Sequence, residues 1–122
     1  MKKDNVVLEK SYAFAIRIVR LSKHLREECH EYVLSKQILK SGTSVGANLE
    51  EAVGAQSRKD FLSKMQIAYK EARETHYWLR LLRDTDSVPC DMLTSLLFEC
   101  EELIRLTGSI ASTTRATLEK KD

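Results

Sequence analysis

Several groups of residues in this chain have types and spacings that could do chemistry. Glu27-x-x-His30 matches half of a di-iron carboxylate site, which needs a second Glu-x-x-His and two further inward carboxylates. No second copy is present, and His24, His30 and His76 are not spaced as a metal set on one helix. Cys29 adjoins His30, the pairing that activates a thiolate, but consecutive helical residues point apart. Cys90 falls near an expected helix start, and Cys100 falls on an apolar stripe as inert core. The stretch SGTSVGANLEEAVGAQSRKDF, residues 41–61, carries Gly42, Gly46 and Gly54. A phosphate loop would need a lysine after the glycines and a strand before them, and neither is there. Ser44, Asn48 and Glu51 share one flank of a helical segment, with Glu71 and Glu74 on the next. Asn48 with Glu51 or Glu71 is the expected hydrogen-bonded set, one that fixes helix register rather than a catalytic carboxylate pair. No catalytic residue, cofactor-binding residue or metal ligand is expected, and the protein reads as a non-enzyme.

The elements that position these residues follow from composition and periodicity. The chain has 122 residues, 43% apolar and 31% charged, with a single proline, Pro89. That suits one domain able to bury a core without staples. Three cysteines without C-x-x-C spacing fit free thiols in a reducing cytosol. The opening MKKDNVVLEK has no apolar run of signal-peptide length, and no stretch is long enough for a membrane span. The expectation is a cytoplasmic protein with no membrane role.

Four segments repeat their apolar residues at helical spacing. Helix one, about 9–28, carries Phe14, Ile18, Leu21 and Leu25 as its buried stripe. Helix two, about 32–55, carries Leu34, Ile38, Ser41, Val45, Leu49 and Ala52 in steps of four or three. Helix three, about 57–84, opens with Ser57 as cap and repeats that spacing from Phe61 to Leu82. Pro89 begins helix four, about 89–118, after the turn DTDSVP. No strand pattern appears. The fold class is all-α, a single domain in which short turns make an antiparallel up-down-up-down four-helix bundle.

Gly42 and Gly46 sit inside helix two, because its register passes through them unbroken. Each costs a helix about 1 kcal/mol relative to alanine. Four residues apart, they form a strip, extended by Ser35 and Val53, that lets another backbone approach closely. That backbone belongs either to the neighbouring helix of the same chain or to another subunit. Two further apolar lines exceed what the core stripes need: Tyr12, Ile16 and Val19 on helix one, and Ile67, Trp78 and Leu81 on helix three. Left exposed, they would form the kind of patch that marks an interface. With Gly42 and Gly46, they are the candidate oligomer contacts.

Net charge is only +2, below that of a dedicated nucleic-acid binder. Its distribution is uneven. Lys10, Arg17 and Arg20 fall along one flank of helix one with His24. Lys59, Lys70, Arg73 and Arg80 lie on the expected outer side of helix three, with Tyr77 among them. Clustered lysine and arginine suffice to contact phosphates, so these seven are the candidate contacts for RNA, DNA or an acidic partner.

The segments FAIRIVRL, SKQILKSGTSVGANLEEAVGAQSRKDFLSKMQIAYKEARETHYWLRLL and CEELIRLTGSI resemble the bacterial family of 23S rRNA-intervening sequence proteins. The resemblance runs from about Leu8 to Leu118 and is most specific from Ser35 to Leu82. It implies a left-handed four-helix bundle that assembles as a homopentamer. It also implies kinship with the accessory variability determinant of diversity-generating retroelements, a basic pentamer that binds a reverse transcriptase and nucleic acid. The expected function is a homo-oligomeric binding or scaffold protein whose partners are its own copies and RNA, DNA or a nucleic-acid-handling protein. The alternative is a protein–protein adaptor with no nucleic-acid role.

Overall fold

The structure, a computed structural model, describes residues 2–121, with side chains from 6 to 120. Four helices follow in order: α1 Lys2–Glu27, α2 Leu34–Val53, α3 Arg58–Asp84 and α4 Cys90–Lys121. Each helix packs on its neighbours in the chain, and α4 returns to α1, while the backbones of α1 and α3 are not adjacent. The bundle is therefore a square in cross-section, with α1 diagonal to α3 and α2 diagonal to α4. Its four corners are joined by the short segments 28–33, 54–57 and 85–89 and by the α1–α4 contact.

The core is built from the stripes read in the sequence. Phe14, Ile18 and Leu25 of α1, Ile38, Val45 and Leu49 of α2, Met65, Leu79 and Leu82 of α3, and Leu93, Leu96 and Leu103 of α4 are all buried. Several boundaries differ from the sequence reading, among them the end of α2, at Val53 rather than 55. α1 begins at Lys2 rather than near residue 9, because Val7 continues the buried stripe one repeat before Phe14. α2 begins at Leu34 rather than at residue 32. There the Glu31 carboxylate accepts from the amides of Ser35 (2.9 Å) and Val33 (3.3 Å). It takes the place of the missing serine or aspartate cap. α4 continues to Lys121 through its serines and threonines. Thr107, Thr114 and Thr117 return their hydroxyls to the carbonyls four residues back, which lets polar side chains stay within a helix.

Ser57 caps α3 as expected, accepting from the Asp60 amide at 3.0 Å. Gly54 closes α2 with φ −88°. It stands where glycine is common, but the left-handed conformation that usually explains such a glycine is not used here. His30 and Asp86 take positive φ instead, at 53° and 55°, in the two longer corners.

Candidate functional site

The glycine strip faces inward. A Cβ on Gly42 would lie 2.7 Å from Ile18 Cγ2, and one on Gly46 would lie 3.4 Å from Ser11 Oγ. Ser22 Oγ donates to the Ser35 carbonyl across the same seam at 3.0 Å. The small residues of α2 thus bring α1 of the same chain close. Gly42 is buried against Ile18 of the same chain, which leaves it no face for another copy, while Gly46 is half-buried with Ser11 of the same chain over it. Val53, expected to extend the strip, is exposed beyond it.

The expected polar set is also arranged differently. Asn48 Nδ2 donates to the Ser44 carbonyl at 2.8 Å, not to Glu51 or Glu71. Glu51 pairs with Lys64 at 2.8 Å. The carboxyl of Glu71 is pushed above its ordinary pKa by desolvation, then by the nearby Glu74 charge, against the opposing Ser44 hydrogen bond and Lys40 charge. The α2–α3 seam is closed beneath it by a 2.9 Å hydrogen bond between the Thr75 and Ser41 hydroxyls. These contacts tie two helices together and leave no carboxylate pair set for acid–base work.

The apolar lines divide. Tyr12, Ile16 and Val19 remain exposed on α1, Tyr12 at 67% and Val19 at 46%. On α3, Ile67 is 40% exposed. Trp78 is partly buried against the core and Leu81 is half-buried, so the α3 line is narrower than the sequence suggested. The two lines sit on diagonal helices.

The seven basic residues divide as well. Lys10 lies 3.2 Å from Glu102, and Arg17 is ion-paired with Glu99 while donating to Ser95 Oγ at 2.7 Å. Helix α4 thus neutralises half of the α1 flank. Arg20 borders a recess of about 210 Å³ between α1 and α4, shared with Arg17, His24 and Met92. Lys59 and Lys70 are exposed on α3.

Arg73 and Arg80 instead converge on a cleft of about 490 Å³ between α3 and α4. It is lined also by His76, Glu101, Ile104 and Arg105. Arg73 Nη1 donates to the Tyr69 hydroxyl at 3.2 Å and stacks over its ring. Arg80 lies 5.8 Å above the centre of the Tyr77 ring. Glu101 is engaged by His76 Nε2 at 3.0 Å. Among the described residues, none of the three arginines makes an ion pair. The sequence reading missed Arg105 and Glu101 here, and also Phe98, 64% exposed on the outer face of α4. Their spacing at 98, 101 and 105 puts them on one helical face, a signal that a register for α4 against α3 would have exposed.

The thiols and histidines form no reactive centre. Cys100 Sγ contacts the Ala72 carbonyl at 3.2 Å, and burial pushes its thiol pKa up to about 12. Cys29 and Cys90 are exposed free thiols. α1 ends at Glu27 and His30 lies beyond it at positive φ, so the Glu27-x-x-His30 spacing is not carried on a helix. Among the described residues no group of three or more His, Cys, Asp or Glu side chains is placed to hold a metal ion. No helix among them is long and apolar enough to cross a membrane.

A family model described as 23S rRNA-intervening sequence protein matches residues 3–109. Among solved structures, the chain is similar to a protein of unknown function from the S23 ribosomal protein family of Bacteroides thetaiotaomicron VPI-5482. The two share 52% identity with a TM-score of 0.87, over 90% of this chain and 98% of that one. No curated protein matches the chain.

Proposed function

The chain belongs to the family of 23S rRNA-intervening sequence proteins, and from that membership we propose that it is a non-enzymatic binding module. Its copies assemble into a ring, and its remaining basic surface contacts RNA or DNA. The observation that carries the reading is the pair of apolar lines left to water on diagonal helices, Tyr12, Ile16 and Val19 on α1 and Ile67 with the edges of Trp78 and Leu81 on α3. A two-fold dimer would cover one line by pairing it with itself. Two unlike lines on two different helices instead suit head-to-tail contact, α1 of one copy against α3 of the next, which closes as a ring. Five copies is the number that the family resemblance implies.

Light scattering at micromolar concentration is expected to give a multiple of the chain mass. Val19→Glu and Ile67→Glu, each at an exposed position, are each expected to give folded monomer. A monomeric wild-type protein overturns the reading.

A second reading, an adaptor that binds only protein, draws support from the neutralised Lys10 and Arg17 and the net charge of +2. It is favoured if the assembled protein ignores nucleic acid at low salt.

A further inference from the structure

We infer that the cleft between α3 and α4 is a groove for single-stranded nucleic acid, with Arg73, Arg80 and Arg105 on the phosphates and Tyr77 and Phe98 under the bases. The inference rests on the nucleic-acid arm of the function proposed above and gives it a site. Three guanidinium groups line one cleft, and its one carboxylate, Glu101, is already engaged by His76. The positive charge is therefore left for a ligand, unlike that of Lys10 and Arg17.

The arginines are also held in place before a ligand arrives. Arg73 is fixed by the Tyr69 hydroxyl and ring, and Arg80 rests over Tyr77. A guanidinium ordered in advance loses less freedom on binding. Arg73 and Arg80 are seven residues apart on one face of α3, about 10.5 Å along its axis. That separation lets the two arginines meet different phosphates of one strand.

The aromatic residues decide between ligands. Tyr77, beneath Arg80, and Phe98, on the helical face of α4 that carries Glu101 and Arg105, are exposed beside the cleft. An acidic peptide would satisfy the charges and leave both rings bare, whereas an unpaired base has a face for each. In a duplex the bases are stacked on one another and unavailable to the rings. The apolar lines used for assembly lie elsewhere. Ile67 is on the side of α3 turned away from α4, so the cleft stays open in a ring.

Fluorescence anisotropy with a short labelled oligouridylate, a matched oligothymidylate and a duplex RNA, each across a salt series, tests the inference. Either single strand is expected to bind more tightly than the duplex, and the stronger of the two identifies the sugar. The combined variant Arg73→Gln, Arg80→Gln and Arg105→Gln is expected to bind at least tenfold more weakly. Its salt dependence is expected to flatten by about 2 in log–log slope, from about 0.7 per lost phosphate contact. Tyr77→Ala with Phe98→Ala should weaken binding with the slope unchanged. Lys36→Gln with Lys120→Gln, which removes two exposed charges outside the cleft, should bind as the wild type does.

Undiminished binding by the triple-arginine variant overturns the cleft as the site while leaving the broader reading in place. Absence of binding to any nucleic acid overturns both. Preference for duplex, or equal competition by polyglutamate, overturns the single-strand assignment.

Discussion

The α1–α2 seam and the α3–α4 seam join helices of the same bundle by opposite means. At α1–α2 the facing residues are Gly42, Gly46, Ser11, Ser22 and Ser35, and the backbones close until Gly42 touches Ile18. At α3–α4 the outer facing residues are arginine, histidine, tyrosine and glutamate, and a cleft remains above the buried floor of Ala72 and Cys100. Small side chains complete the first seam inside the chain and leave it nothing to offer a ligand. Long charged side chains cannot be buried without partners, so they stay at the outer edge of the second seam and line a cleft there. A binding groove in such a bundle is therefore sought where the small residues are missing. Gly108, the glycine of the second seam, shows the same contrast, since what stands over it is the edge of the half-buried Tyr69 ring and not a core isoleucine.

Substitution at the two glycines tests that contrast most directly. Gly42→Ala gains about 1 kcal/mol of helix propensity. It also forces a methyl to 2.7 Å from the Cγ2 of Ile18, a stiff β-branched side chain with no exposure. Overpacking of that kind costs about 1–3 kcal/mol, and a net loss of about 1 kcal/mol is expected in urea denaturation at fixed protein concentration. A stabilised Gly42→Ala would mean that the closed seam is looser than its geometry.

Gly108→Ala places its methyl 3.1 Å from Tyr69 Cε1. That half-buried ring can tilt toward the cleft, so most of the propensity gain should survive, a stabilisation of about 0.5 kcal/mol. A loss as large as at Gly42 would erase the distinction between the seams.

The smallest effect is expected at the α2–α3 seam, which is intermediate in character. The folded-state pKa of Glu71 is raised, first by desolvation and then by Glu74. The folded protein therefore holds this proton more tightly than the unfolded chain does, and stability falls as pH rises through the window between the two values. Glu71→Gln is expected to stabilise slightly at neutral pH, with the gain fading as acid protonates the wild-type carboxyl. Parallel denaturation curves at neutral and acid pH read the difference, and a gain that grows in acid would reverse the sign assigned to Glu71.

Much of the architecture was legible from spacing. The four-three repeats of α2 and α3, the Ser57 cap and the exposed line of Tyr12, Ile16 and Val19 all depend on residues within a few turns of one another. The resemblance to the 23S rRNA-intervening sequence proteins was legible too, because its segments are contiguous. The pairing of charges was not. Arg17 meets Glu99, and Arg73 shares a cleft with Arg105, across separations that local periodicity does not reach. The polar set failed for a related reason, since Asn48 found a carbonyl one turn back and Lys64 reached Glu51 first. The Glu31 cap escaped notice because a glutamate beyond a helix start bonds the first amides only when the preceding corner turns it back, here next to His30 at positive φ.

Sequence alone determined that four amphipathic helices form and which stripe of each is buried, because burial of a stripe repeats every three or four residues and is written locally. Tertiary structure decided what each flank meets: glycines against Ile18, lysine and arginine of α1 against the acids of α4, and three arginines against open water. The reason is geometric. A flank residue's partner depends on how two helices are rotated and shifted against each other, and that is set by the packing of the whole core rather than by any one segment.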